Sequence, residues 1–272
     1  MAEPDKSIYG RKVFFINPNP NFEQQIITRL RCMEYEVYSI SDYRRAKPIL
    51  RKNADSICFC IIESQLSLKG WHNFIKSFEE ERVFGPLNIG VIVHPISEDK
   101  LKNFVADIQL DAGIIKHEQD PEAFFREIIK SLDAKNAKGL RRYVRVDCLN
   151  EPQADLLWFK NSKLFKLKII DISSAGLAAQ LPTKHAGDVG INQIIEGVTL
   201  NLRNESVNVD IKVTAIKAAA DFLLVVIMFE LTTAPESINK IRKYIAESLQ
   251  TKIQNMVRVS ELDRDDYENF KF

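Results

Sequence analysis

The clearest chemical feature of this chain is a basic segment halfway along it, GLRRYVRVD. With the preceding residue it contains Lys138, Arg141, Arg142 and Arg145, and the first acidic residue after them is Asp147. Guanidinium groups present planar, paired donors that suit phosphate oxygens, and they also stack on aromatic rings. The whole chain has a net charge of only +1, so any anion site must be local.

The spacing of the arginines favours one binding face. If the segment is extended, Arg141 and Arg145 point the same way because side chains alternate along a strand, and Arg142 points to the other side. A basic segment is also typical of a solvated linker. The residues of this segment alone leave both interpretations open.

A second candidate for ligand contacts lies further along, in IIDISSAGLAAQL. We expect a strand that ends at Asp171, a turn of small residues, and a new strand from Leu177. Asp171 and Ser173 would then sit at the turn on one face, and Gly176 would supply a positive φ or let a ligand approach the backbone. A carboxylate accepts two hydrogen bonds from the N1–H and N2 amine of guanine. The alternative is a turn that satisfies its own backbone.

The two motifs in this order resemble the PilZ family of cyclic di-GMP receptors. That family has an RxxxR segment at the start of the domain and a [D/N]xSxxG turn between strands of a six-stranded barrel. Here the motifs are 141–145 and 171–176, and the resemblance extends over roughly residues 138–256, including the later strands and the closing helix.

The resemblance implies specific ligand contacts. Arg141 and Arg145 would hold the phosphates and stack on the guanines, and Arg142 would add a phosphate contact. Asp171 and Ser173 would bind a guanine edge or a phosphate. The implied cyclic di-GMP site comprises Arg141, Arg142, Arg145, Asp171, Ser173 and Gly176.

The pattern of elements predicts two domains. Five short apolar runs alternate with amphipathic helices, which is typical of a flavodoxin-like, doubly wound α/β sheet of five strands. The runs are 12–17, 36–40, 56–62, 88–93 and 112–116. Cys58 and Cys60 fall in the third run as small hydrophobes, and Asp120 precedes Pro121 as the expected N-cap of the last helix.

The second half is rich in strands separated by turns, which favours an antiparallel six-stranded β-barrel closed by one helix. Thr233 is the expected cap of that helix. We assign 1–133 to the α/β domain, 134–140 to a linker, 141–258 to the barrel and 259–272 to a charged tail that we expect to be frayed.

The α/β half also resembles a response-regulator receiver domain, but without its phosphorylation chemistry. Asn17 and Asn19 stand where a receiver holds magnesium with an acidic pair, and Glu63 replaces the phospho-accepting aspartate; only Lys116 matches. Phosphoryl transfer therefore lacks its metal ligands and its nucleophile. We interpret this half as a pseudo-receiver that docks a partner or dimerises, or as another α/β module.

Other functions have weaker support. No Gly-rich phosphate loop or nucleophile elbow occurs, so we expect no enzyme activity, no metal and no cofactor. His94 and His117, with Glu63, are the one candidate metal site at the sheet edge. The N-terminus has no signal peptide pattern and no apolar run could span a bilayer, so we expect a cytoplasmic protein.

We therefore predict a cyclic di-GMP receptor with a protein partner on the α/β domain. Ligand binding at the interdomain linker is expected to order residues 138–145 and to change the domain arrangement, as a hinge does. The alternative is a nucleic-acid-binding adaptor that uses the same basic segment. It predicts a further basic stripe on the barrel and binding that falls steeply with salt.

Overall fold

The computed structural model describes residues 9–151, 153–160 and 163–269, without the side chain of residue 160. The chain forms two compact units. The first contains residues 1–142 and 250–272, and the second contains residues 143–249. Each unit has its own buried core of apolar side chains.

The first unit is built on a parallel sheet of five strands in the order β2-β1-β3-β4-β5. This is the flavodoxin-like order that the sequence predicts. Every residue of the central strand β3 is buried, including Cys58 and Cys60, because helices cover both faces of such a sheet. The strands are β1 Lys12–Ile16, β2 Val37–Ile40, β3 Ser56–Ile62, β4 Asn88–Val93 and β5 Gly113–Lys116.

Helices connect these strands. The first, α1, consists of Pro20–Phe22, a π-helical turn Glu23–Ile27 and Thr28–Cys32. The others are α2 Ala46–Arg51, α3 Leu68–Lys76, α4 Glu98–Val105 and α5 Pro121–Ala134. The predicted cap of α5 is confirmed, since the Asp120 side chain accepts a hydrogen bond from the backbone N–H of Glu122 at 2.9 Å.

The second unit is an antiparallel barrel. Six strands close into a ring because β8 pairs with both β7 and β9, and the ring runs β8-β7-β10-β11-β12-β9. The predicted six-stranded barrel is confirmed, and a seventh, three-residue strand, β6, pairs with the end of β8. The strands are β6 Arg145–Asp147, β7 Ala154–Lys160, β8 Lys163–Ser173, β9 Gly176–Pro182, β10 Ile194–Leu202, β11 Glu205–Ala218 and β12 Phe222–Phe229.

The last helix, α6, spans Pro235–Val259, so its residues 235–249 belong to the second unit and residues 250–259 to the first. Thr233 does not act as the predicted cap: its hydroxyl bonds the backbone N–H and C=O of Asp210 at 3.0 and 3.1 Å. In the first unit, the Gln250 side chain binds both backbone groups of Ser39 and accepts from Arg31.

The prediction of a frayed tail is wrong for residues 259–269, and its last three residues lie outside the described ranges. Tyr267 is only 1% exposed and packs edge-on against Phe74 at a ring distance of 5.2 Å. The Glu268 carboxylate accepts hydrogen bonds from the backbone N–H and the hydroxyl of Ser67. The buried ammonium of Lys47 lies 3.9 Å from a carboxylate oxygen of Asp263. The tail is thus part of the α/β unit.

Candidate functional site

The second arginine of the basic motif lies beside the predicted turn motif. Strand β6 pairs antiparallel with β8, with Arg145 opposite Ser173 and Asp147 opposite Asp171. The guanidinium Nη1 of Arg145 lies 3.5 Å from Asp171 Oδ1, and the two side chains are 47% and 33% exposed. A cation and a carboxylate therefore stand together at the surface of the barrel, open to a ligand.

Asp171 lies within β8 and not at the turn where the sequence places it. The strand continues to Ser173 because β6 and β9 both pair with it there. The register between β8 and β9 shifts between Ile169 and Asp171, which is a β-bulge. Such bulges re-aim side chains and are common beside functional sites. The bulge sets the direction of the Asp171 carboxylate.

Ser173 is buried at 3% exposure, and its hydroxyl is used inside the hairpin. It donates to the backbone oxygen of Gly176 at 3.0 Å and accepts from the backbone N–H of Ala175 at 3.4 Å. The hairpin loop has two residues, Ser174 and Ala175. The local-turn alternative thus describes Ser173, while a direct contact of its hydroxyl with ligand stays a prediction.

Gly176 is required for close packing. The prediction of a positive φ is wrong, since Gly176 does not have one. A Cβ atom at this position would lie 2.2 Å from the backbone oxygen of Ile227 and 2.9 Å from Cα of Met228. The backbone that approaches Gly176 is therefore that of strand β12, which pairs with β9.

The remaining cations of the basic segment belong to the first unit, because the division falls between Arg142 and Tyr143. The Arg141 guanidinium lies over the Tyr9 ring at 4.4 Å, and the Lys138 ammonium lies 4.4 Å from the centre of the Tyr35 ring. Such cation–π contacts hold a charged side chain without neutralising it. Arg142 is exposed, and within the described part of the chain its side chain has no partner.

Two backbone contacts also hold the start of this segment in the first unit. Gly10 packs so closely against it that a Cβ there would lie 2.4 Å from the Gly139 nitrogen. The backbone N–H of Arg11 also donates to the oxygen of Ala137 at 3.2 Å. Sequence reasoning missed two neighbours of the predicted site residues: Tyr9, whose ring lies against Arg141, and Asp147, which pairs opposite Asp171. The proximity of Asp147 to the arginines in RRYVRVD was the signal for it, and nothing marked Tyr9.

The residues that replace receiver chemistry meet at the carboxyl edge of the α/β sheet. The Asn19 amide donates to Glu63 Oε1 at 2.7 Å, and the Asn17 amide donates to Gln65 Oε1 at 2.8 Å. Asn17 is buried and has a φ of 64°, a conformation that residues other than glycine rarely adopt. At this edge, neutral amide groups therefore donate the hydrogen bonds to Glu63 and Gln65.

The histidines predicted as possible metal ligands also lie at this edge. The rings of His94 and His117 are 5.2 Å apart, and His94 Nε2 is 3.9 Å from Glu63 Oε1. Among the residues that the structure describes, no group of three or more His, Cys, Asp or Glu side chains is arranged to hold a metal ion. No helix in the described ranges is long and apolar enough to cross a bilayer.

Several solved structures align with parts of this chain. The PilZ domain of YcgR from Escherichia coli, solved with cyclic di-GMP, aligns over 44% of this chain and 98% of its own, with 15% identity and a TM-score of 0.38. The MrkH–cyclic di-GMP complex of Klebsiella pneumoniae aligns over 42% of this chain and 55% of its own, with 16% identity and a TM-score of 0.39.

A third similar structure is the chemotaxis protein CheY4 of Vibrio cholerae. It aligns over 45% of this chain and 99% of its own, with 15% identity and a TM-score of 0.38. No family model matches the chain, and no curated protein matches it in sequence. The predicted fold classes, a five-stranded parallel sheet of flavodoxin-like order and a closed six-stranded antiparallel barrel, are confirmed by the strand topology itself.

Proposed function

We propose that this protein is a receptor for cyclic di-GMP and has no catalytic role of its own. The observation that carries the proposal is the pairing of β6 with β8, which places Arg145 Nη1 3.5 Å from Asp171 Oδ1. One arginine of the first motif is therefore adjacent to the carboxylate of the second. Their chemistry, a guanidinium beside a carboxylate, matches the phosphates and the guanine edges of one ligand.

In this proposal each exposed group has a distinct role. Asp171 accepts the N1–H and N2 amine of a guanine, because a bulge sets its carboxylate and β6 leaves it 33% exposed. Arg145 contacts a phosphate or stacks on a guanine. Arg141 and Arg142 add charge from the preceding residues, and Arg141 exchanges its Tyr9 ring for a base or a phosphate. Gly176 maintains the hairpin.

Calorimetric titration of the full chain with cyclic di-GMP tests the proposal, with GTP and cyclic di-AMP as controls. We expect low-micromolar or tighter affinity for cyclic di-GMP and no comparable binding of either control. Asp171→Asn should weaken binding at least tenfold, since one guanine acceptor becomes a donor. Lys168→Ala is the matched control: it removes an exposed cation from the same strand.

Two outcomes would contradict the proposal. One is the absence of cyclic di-GMP binding to a folded chain. The other is undiminished binding by both Arg145→Ala and Asp171→Asn. If instead the chain binds single-stranded RNA with an affinity that falls steeply with salt, the nucleic-acid alternative replaces the receptor.

Binding of cyclic di-GMP would also affect the arrangement of the two units. The basic motif contains the division between the two units, so a ligand that engages Arg141 and Arg145 together acts on residues of both. Withdrawal of Arg141 from the Tyr9 ring onto the ligand would shift this segment, change the arrangement of the units and regulate a protein partner that binds the α/β unit. Hydrogen exchange that slows at 136–147 and 170–177 on ligand addition would support this mechanism.

A further inference from the structure

A cavity lies within the α/β unit, at the carboxyl ends of its strands. Its volume is about 360 Å³, within the range of about 300–1,000 Å³ that is typical of small-molecule sites. In open α/β sheets this edge is where ligands bind. The residues that line it come from the ends of β1, β3, β4 and β5 and from the first turns of α1 and α5.

The floor of the cavity is apolar and its rim is acidic. Buried side chains form the floor, among them Phe22, Ile26, Ile92 and Phe124. The rim carries two carboxylates, those of Glu63 and Glu118. An occupant must therefore combine an apolar body with a group that complements negative charge.

Two hydrogen bonds hold Glu63 in place. Its Oε1 accepts a hydrogen bond from the Asn19 amide at 2.7 Å, and its backbone oxygen accepts from the Trp71 indole N–H at 2.8 Å. Asn19 is fixed in turn, because its own side-chain oxygen accepts from the backbone N–H of Phe22 at 2.9 Å. Within the described residues, Glu63 Oε2 has no hydrogen-bond partner, so it can accept from a ligand.

The cation at the rim does not offset this charge. Arg29 donates to both carboxylate oxygens of Glu122, at 2.8 and 2.9 Å, and its guanidinium lies 3.8 Å from the centre of the Phe125 ring. This bidentate bond raises the pKa of Arg29 and engages its charge outside the cavity. Glu63 and Glu118 therefore remain as the charges that a ligand would meet, along with the imidazoles of His94 and His117.

Two backbone features mark the same edge. The π-helical turn Glu23–Ile27 supplies Gln25 and Ile26 to the lining, and such turns occur frequently at functional sites. Asn17, at the end of β1, has the left-handed φ of 64°, which costs free energy and clusters at binding sites. The π-helical turn lines the cavity, and Asn17 lies two residues before the lining residue Asn19.

We propose that this cavity binds a small aromatic amine, with the ammonium on Glu63 and the ring on the apolar floor. The site uses the position where a receiver would carry its phosphorylation chemistry, and it does not depend on the cyclic di-GMP site. It would give the α/β unit a chemical input of its own.

NMR of the full chain tests this, with the histidine rings as reporters and 2-phenylethylamine as the probe. The titration is run at pH 8, above the range in which imidazoles ordinarily carry a proton. We expect shifts of His94 and His117 and none of His72, which bonds the Phe104 oxygen away from the cavity, or of His185, which lies in the barrel. 3-Phenylpropionate, the anion of similar size, should produce no shifts.

Variants complete the test. Glu63→Gln should weaken amine binding at least tenfold, while Glu98→Gln, on the exposed start of α4, should leave it unchanged. Gln25→Trp, at an exposed lining position, should fill the cavity and abolish binding in a folded chain. Equal binding of amine and acid, or unchanged amine binding by Glu63→Gln and Gln25→Trp, would overturn the proposal.

Discussion

Arg145 and Asp171 are 26 residues apart in the chain, yet their side chains meet 3.5 Å apart across two adjacent strands. Both are partly exposed, and ion pairs of this kind contribute little to stability, about 0–1 kcal/mol. The pair therefore contributes little to the free energy of folding, and in the proposed function its role is to bind the ligand. A substitution in this pair can therefore separate an effect on stability from an effect on ligand binding.

We accordingly expect Arg145→Ala to change the free energy of unfolding by less than about 1 kcal/mol. The same variant should weaken cyclic di-GMP binding by about 2 kcal/mol or more, because it removes a charge-assisted contact. Urea unfolding and calorimetry on the same preparations measure the two effects. Loss of stability and affinity in proportion would indicate a structural role instead.

Gly176→Ala should destabilise the barrel. The added Cβ would meet the Ile227 oxygen at 2.2 Å, and overpacking of this kind costs roughly 1–3 kcal/mol. Gly187→Ala is the control, since a Cβ there meets nothing within 4 Å and φ is not positive. The midpoints of urea unfolding compare the two variants. Equal midpoints would show that the hairpin shifts away from β12 at little cost.

The tail should contribute strongly to the stability of the α/β unit. Tyr267→Ala removes a buried ring, at a cost of roughly 3–5 kcal/mol. Tyr267→Phe should cost less, since it keeps the ring and loses the hydroxyl contacts, among them those with Asp263 and Asp265. Glu261→Ala, at an exposed tail position, is the control. Trp71 fluorescence in a Trp158→Phe background reports unfolding of this unit. Wild-type stability of Tyr267→Ala would mean that the tail is dispensable.

Acetyl phosphate with magnesium should leave no acid-labile phosphate on the full chain. Asn17 and Asn19 cannot supply the anionic ligands that magnesium requires, and the Glu63 carboxylate is bonded by Asn19. Phosphate release in acid, measured after labelling, checks this. Stoichiometric labelling that Glu63→Gln abolishes would show that the unit is an active receiver.

Cyclic di-GMP should change the small-angle scattering of the full chain. The expected cause is a shift of residues 138–145 when Arg141 leaves the Tyr9 ring for a ligand that Arg145 also contacts. The Arg145→Ala variant at the same ligand concentration is the control and should show no change. Superimposable wild-type profiles with and without saturating ligand would place the output on the barrel itself.

Much of the fold follows from local pattern. The apolar run 56–62 coincides with β3, because a strand buried on both faces needs no alternation. Asp120 caps its helix as predicted. The position of Asp171 could not be predicted as readily, since its strand is extended by pairing with β6, far away in sequence. Gly176 is likewise required because β12 packs closely against it, and no local sequence pattern reveals that packing.

The docking of the tail likewise could not be predicted from local sequence pattern. ELDRDDYENFKF reads as a solvated, charged segment, yet in its described part Tyr267 is buried and charged side chains around it contact the α/β unit. A single buried ring has no periodicity to detect. By contrast, the meeting of Asn19 with Glu63 follows from topology, because the carboxyl ends of neighbouring parallel strands share one edge.

The course of the chain through its two units has a practical consequence. The α/β unit is assembled from both ends of the sequence, and the barrel is inserted between them. A protease that cuts once near residue 140 would therefore leave the two fragments associated, because the C-terminal fragment still supplies Tyr267 and Glu268 to the first unit. A recombinant fragment that begins at residue 135 would contain Tyr267 but not Phe74, the residue against which its ring packs. Dissection of this protein should keep residues 250–269 with the N-terminal half, for example by joining them through a short linker after residue 142.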